Sequence, residues 1–243
     1  LKKTNSRIVP YTIRRVSSAY HDDALRPEYS SASAIRRTLE CGEVPAFTQL
    51  ETQVPSTCLK LLKASYRRDC PVVVDDFSLL LKYKLLNTMD EDLVLYQDVS
   101  QELTNRICKM QNDFSSYTQF RELLMTRQLT RTRVSRALLH VLLDVKKADI
   151  EHYLAKGGHY YARLLGFRND CNDVVSEIAR RTTLPLLTSP GKCGSSQFDG
   201  QLKKNARQML DTDIFASNLY HSVVTDKYER LYRNELSQGI LKV

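Results

Sequence analysis

The stretch Thr130-Arg131-Thr132-Arg133-Val134-Ser135-Arg136-Ala137-Leu138-Leu139-His140-Val141-Leu142-Leu143 sets the fold class of this chain. It contains neither glycine nor proline. Val134, Leu138 and Val141 recur at intervals of four and three, so one side of a helix is apolar and must be buried. Arg133, Arg136 and His140 fall together on another side. The same period predicts helices over Leu103 to Met110, Thr118 to Thr126, Thr132 to Asp144 and Ala148 to Ala155. Earlier, Asp75-Asp76 precede Phe77, Leu80, Leu81 and Leu85, with carboxylates at the dipole's positive end. Pro55 at a first helical position leads Leu59, Leu62 and Tyr66.

Beyond Gly157-Gly158 the period changes. Tyr160 to Phe167 reads as a strand, Val174 to Arg181 as a helix, and Leu184 to Leu187 as a second strand at an edge, because of Pro185. Residues at about 159–188 therefore form a small strand–helix–strand α/β unit in a mainly α-helical chain. Pro190 to Gly200 reads as a loop, and Thr212 to Gln238 as one long helix or a broken pair. Toward the start, Leu1 to Thr4 reads as the end of a helix and Ile8 to Ile13 as a strand. Arg26 to Ser30 is a loop. Ser31 or Ser33 caps a short helix through Ala34 to Leu39, stopped by Gly42 and Pro45. The domain boundary is expected between Pro45 and Pro55, giving 1–45 and 46–243.

The 243 residues are 42% hydrophobic and 26% charged, a globular composition. No apolar run approaches the length of a membrane helix and no charged leader precedes one, so the expectation is a soluble, cytoplasmic chain without membrane contact. Six cysteines stand without any C-x-x-C pair, which argues against a zinc or redox motif, and no metal ligand is expected. The net charge of +8 favours a polyanionic partner. It is zoned: Phe114 to His140 holds five arginines against Glu122 alone, whereas Asp90 to Glu102 holds five acids and no Lys or Arg.

Three groupings could carry chemistry. Ser30-Ser31-Ala32-Ser33-Ala34-Ile35-Arg36-Arg37 places hydroxyls and free backbone N–H groups at a helix start with an arginine one turn on, which suits a phosphate. A capping serine followed by a solvated arginine is the commoner arrangement. Arg14-Arg15 stand where the first strand ends, facing the usual ligand crevice of an α/β sheet or simply solvent. Tyr20-His21-Asp22-Asp23 is read as a loop hydrogen-bonding cluster with no catalytic role. In Arg127 to Arg136, Arg131 and Arg133 sit at a helix start, where the macrodipole disfavours cations. An RNA backbone would relieve this, and so would acids elsewhere in the fold.

In order along the chain, Pro10-Tyr11-Thr12-Ile13-Arg14-Arg15, Tyr20-His21-Asp22, Ser31-Ala32-Ser33-Ala34-Ile35-Arg36, Phe77 to Leu86, Thr130 to His140, Tyr161 to Phe167, Leu184 to Leu187 and Asp211-Thr212-Asp213-Ile214 resemble the tRNA(Met) cytidine acetate ligases. That family is similar to HIGH-type nucleotidyltransferases. The resemblance implies an enzyme that joins ATP and acetate into acetyl-adenylate and acetylates N4 of the wobble cytidine of elongator tRNA(Met). It implies ATP contacts at Arg14, Arg15, Ser31, Ser33 and Arg36, with Mg2+ accompanying ATP and no protein ligand for it identified. Ser33 stands where a threonine is usual. Arg127, Arg131, Arg133 and Arg136 are the tRNA-binding candidates. None of His21, His140, His152, His159 and His221 lies in the family's His-x-Gly-His-like first signature. The expectation is therefore a C-terminal portion, inactive by itself, in which 1–45 is the remnant of a Rossmann-like nucleotidyltransferase domain. No catalytic residue is assigned. Two other classes remain open: a stand-alone RNA-binding module, and a non-catalytic helical interaction protein. An upstream nucleotidyltransferase signature would decide for the ligase.

Overall fold

The computed structural model describes residues 7–14, 24–26, 30–40, 47–188 and 200–243. Several expectations lie outside the described residues: the helix end at Leu1 to Thr4, Arg15, the Tyr20 to Asp23 cluster, the stop at Gly42 and Pro45, and most of the Pro190 to Gly200 loop. The chain divides into two compact units, Leu1–Pro71 and Val72–Val243.

In the first unit, α1 (Ala32–Glu40), α2 (Phe47–Leu50) and α3 (Ser56–Ser65) enclose Leu39, Leu50 and Leu59. Phe47 meets the Tyr66 ring edge-on, with centroids 5.4 Å apart. Pro55 stands just before α3 rather than inside it, and its carbonyl accepts the Leu59 amide at 3.0 Å. Because α3 shares a core with α1 and α2, the division falls after Pro71, later than the expected Pro45 to Pro55. The strand expected at Ile8 to Ile13 is not formed: residues 7–14 take neither strand nor helix, and Val9, Tyr11 and Ile13 are exposed. A strand persists only in a ladder, and no described strand of this unit offers one.

The second unit is built on α4 (Ser78–Leu86), α5 (Gln101–Met110), α6 (Tyr117–Leu124) and α7 (Arg131–Leu142). Leu81, Leu85, Leu103, Ile107, Phe120, Leu124, Val134 and Leu138 form its core, as their helical spacing requires. Tyr117 is fully buried, and its hydroxyl donates to the Ser135 carbonyl at 2.8 Å, which satisfies the phenol. Ser100 and Ser116 cap α5 and α6. The carboxylate of Asp75, expected to serve its own helix, instead accepts the Thr118 amide at 2.6 Å, and Ser78 Oγ accepts the Tyr117 amide at 2.9 Å. The start of α6 is thus held from the turn before α4. At its other end Arg106 donates to the Leu123 and Leu124 carbonyls at 2.6 and 3.1 Å.

Helix α8 (Lys147–Ala155) ends where Gly157 and Gly158 take φ of +96° and +77°. The expected strand–helix–strand unit is present, with one correction. Its first strand is two short strands, β1 (Ala162–Arg163) and β2 (Gly166–Phe167). After α9 (Asn172–Arg181), β3 (Leu186–Leu187) pairs parallel with β1, while the C-terminal β4 (Leu241–Lys242) pairs parallel with β2. Successive residues of a strand offer their hydrogen bonds to opposite sides, so one segment serves two partners at different points. Helix α10 (Gly200–Tyr228) begins earlier than expected and stops where Glu229 takes a φ of 53°. Arg163 pairs with Glu235, whose other oxygen accepts from Ser217 Oγ at 2.8 Å, tying the returning chain to α10. Tyr153, Tyr160, Leu187, Ala206 and Leu210 form a second core there. Among the described residues no helix is long and apolar enough to cross a membrane.

Candidate functional site

The start of α1 combines both readings of its sequence. Ser31 is buried and its Oγ accepts the Ala34 amide at 3.0 Å, so this hydroxyl serves as the helix cap. Ser33 and Arg36 are exposed. Arg36 folds back along the helix, its Nε donating to the Ala32 carbonyl at 3.1 Å, and the first turn contains no acid. A phosphate at this end would therefore meet backbone amides, Ser33 and the outer nitrogens of Arg36 rather than Ser31 Oγ. Arg14 is exposed and makes no ion pair among the described residues; Arg15 lies outside the described residues.

The arginine face of α7 is sharper. Val134, Ala137, Leu138, Val141 and Leu142 are buried, which leaves Arg131, Arg133 and Arg136 exposed on the remaining surface, with Arg127 exposed on the preceding turn. That turn is closed by Thr126, whose Oγ1 accepts the Leu129 amide at 3.0 Å, while Leu129 is buried beneath it. Thr130 occupies the cap position of α7 without a side-chain hydrogen bond, and no acid stands in the first turn. The N-terminal amides of this helix thus lack a side-chain cap, with Arg131 and Arg133 in its first turn.

The four arginines are not equivalent. Arg131 Nε lies 3.6 Å from Glu122 Oε1, a solvent-exposed pair that Glu122 shares with Arg121. Arg136 Nε donates to Asp98 Oδ2 at 3.1 Å. His140, one turn on, brings Nδ1 to 3.1 Å from the Gln97 carbonyl and 3.5 Å from the same Asp98 oxygen. Arg127 and Arg133 have no acidic partner among the described residues. The acid-poor helix is thus partly neutralised by Asp98, from the acid-rich Asp90 to Glu102 stretch. Sequence reasoning missed Asp98, Gln97 and Glu122; the opposition of the two charge zones was the signal for Asp98. Its backbone, at φ 63°, is one that aspartate tolerates better than most residues.

The described residues contain no cluster of three His, Cys, Asp or Glu side chains placed to hold a metal. A family model described as HIGH Nucleotidyl Transferase matches residues 1–235. The chain belongs to this family. Among curated members of similar sequence, the tRNA(Met) cytidine acetate ligase of Thermoanaerobacter pseudethanolicus is 30% identical, over 99% of this chain and 54% of its own length. That of Acetivibrio thermocellus is 26% identical over 99% of this chain and 57% of its own. That of Bacillus cereus strain AH187 is 32% identical over 91% and 54%. The chain thus spans about half the length of the curated relatives it matches. Thermotoga maritima TmcAL, in an apo crystal form, superposes with a TM-score of 0.85 at 22% identity over all of this chain and 57% of that one. A second crystal form, bound with alpha-thio ATP, gives 0.78 at 20% identity over 89% and 53%. These two matches show that the fold is shared with those structures.

Proposed function

We propose that the protein serves an ATP-dependent ligase that activates acetate as acetyl-adenylate and acetylates N4 of the wobble cytidine of elongator tRNA(Met), in the cytoplasm. The observation that carries this reading is the likeness, along essentially the whole chain, to relatives that all bear the name tRNA(Met) cytidine acetate ligase. The ATP analogue bound to T. maritima TmcAL supports ATP as the nucleotide. In this reading 1–45 is the edge of the nucleotidyltransferase domain. The α1 start, Arg14, Arg15, Ser33 and Arg36 hold the triphosphate and offset the charge that shifts as pyrophosphate leaves. Ser31 supports them as the cap. Mg2+ would arrive with ATP, and we assign it no protein ligand. Arg127, Arg131, Arg133 and Arg136 take the tRNA backbone, fixing its position without reading bases.

The test of the ATP assignment is acetate-dependent pyrophosphate release by the protein that carries this chain. Arg36→Ala is expected to slow it by about a hundredfold to a thousandfold, the range for removing one donor from a developing oxyanion. A rate equal to wild type would remove Arg36 from the site. The α7 face on its own also favours RNA binding without catalysis. No pyrophosphate release with or without acetate, with tRNA still bound, would decide for that second reading.

A further inference from the structure

We propose that the crevice between the two parallel strand pairs of the second unit receives one unpaired base of the tRNA; this rests on the tRNA-binding reading above. The need for such a site follows from α7. Phosphate contacts there position an RNA without reading its sequence, so a protein that selects one tRNA must read bases elsewhere. Unpaired bases are read where they are splayed out and hydrogen-bonded at their edges.

The topology opens the crevice. β1 pairs with β3 and β2 with β4, so the chain changes partners between Arg163 and Gly166 and the two pairs diverge there. In parallel sheets ligands collect beyond the carboxyl ends of strands, at the point where the connections diverge. Leu164 and Leu165 follow β1, Thr188 follows β3, and the returning segment Gln238 to Leu241 completes the lining. The cavity measures about 490 Å³, within the roughly 300–1,000 Å³ of small-ligand sites.

The lining suits a base rather than a phosphate. Leu164, Leu165, Ile240 and Leu241 supply apolar surface for the faces of a flat ring. The charged lining residues, Arg163 and Glu235, pair with each other, their side chains 20% and 13% exposed, so an anion finds no free countercharge. Hydrogen-bonding capacity remains for a ring edge. The pair engages one guanidinium nitrogen of Arg163. Gln238 Nε2 donates to the Arg233 carbonyl at 3.2 Å, which leaves Oε1 as an acceptor. The Thr188 hydroxyl has no partner among the described residues and can donate or accept. Gly239 also lines the cavity; a Cβ there meets nothing within 4 Å, and its φ lies outside the left-handed region, so a side chain can be added without moving the backbone.

The experiment measures binding of elongator tRNA(Met) and of one unrelated tRNA by wild type, Gly239→Phe and Thr188→Val, with hydrogen exchange in α7 and β4 confirming that each variant is folded. Wild type is expected to prefer tRNA(Met). Gly239→Phe, which fills the crevice, should lower the affinity for tRNA(Met) about tenfold, the share of one good base contact. Its binding of the unrelated tRNA and its salt dependence should stay as in wild type. Thr188→Val keeps the shape, removes the hydroxyl and should lose a smaller part of the preference. A wild type that binds both tRNAs alike, a preference unchanged in both folded variants, or a loss shared equally by the two tRNAs overturns the base pocket and leaves the RNA-binding reading standing. ATP carries a base too: if it weakens tRNA binding by wild type but not by Gly239→Phe, the crevice takes a free nucleotide and the tRNA assignment falls. Absence of tRNA binding by wild type overturns both.

Discussion

Asp98 decides which cations of α7 remain free. By taking Arg136 at 3.1 Å and lying 3.5 Å from His140, it fixes half of the stripe that the sequence placed on one helix face. A second carboxylate, Asp144, does the same work for stability: its Oδ1 receives Lys84 Nζ at 2.9 Å and the Tyr96 hydroxyl at 3.0 Å. Burial alone would raise the Asp144 carboxyl, and these two hydrogen bonds outweigh it and hold it below its ordinary value. Glu235 is depressed in the same way: burial raises it, and Arg163 and Ser217 more than reverse the effect. A carboxylate depressed in the folded state contributes stability above its unfolded pKa of about 4, and loses it as pH falls through the folded value. Thermal unfolding followed below about pH 5 should therefore show Asp144→Asn and Glu235→Gln losing less stability on acidification than wild type. Equal losses would show that neither group is linked to folding. In the core, Phe120→Ala is expected to cost about 3–5 kcal/mol in denaturant unfolding, since the ring is fully buried among α5, α6 and α7.

Helices α5 to α7 were legible because apolar residues at three- and four-residue spacing leave no other way to bury one face. Their ends were less so. The fastening of α6 by Asp75 joins residues 43 positions apart, and no local pattern announces it; Asp75→Ala is expected to destabilise by about 1 kcal/mol, as loss of a helix cap does. The strands were legible in kind and misread in pairing. Tyr160 to Phe167 has strand composition, yet whether one strand meets one partner or two depends on where β4 returns, at the far end of the chain. Gly166 marks that return: a Cβ there would stand 2.9 Å from the Leu241 carbonyl oxygen. Gly166→Val should free β4 while the helical core survives, seen as fast hydrogen exchange at Leu241 and Val243 with protection kept in α7. The strand assigned to Ile8 to Ile13 shows the limit of propensity. Its composition is right, but a strand exists only with a ladder. At the candidate site the residue types were readable, whereas the split between paired and unpaired arginines was not, because Glu122 and Asp98 reach them through tertiary structure.

At the scale of the molecule, the two units carry separate assignments: the first unit's α1 start is read as a phosphate site, the second unit's α7 face as an RNA surface. The second assignment needs no other part of the relatives' length to be tested, so it probes the account most directly. The measurement is a salt titration of tRNA binding by wild type and by the Arg127→Ala, Arg133→Ala double variant, the two arginines without acidic partners among the described residues. Each phosphate contact releases counterions, so the slope of log K against log salt should flatten by about one unit per lost contact, about two in all. Because phosphate contacts carry no base information, the loss should be alike for every tRNA tested. The matching change at Arg131 and Arg136 should flatten it less, since Glu122 and Asp98 already offset part of their charge. A double variant that binds with unchanged affinity and unchanged slope would contradict the account and return α7 to a solvated helix face.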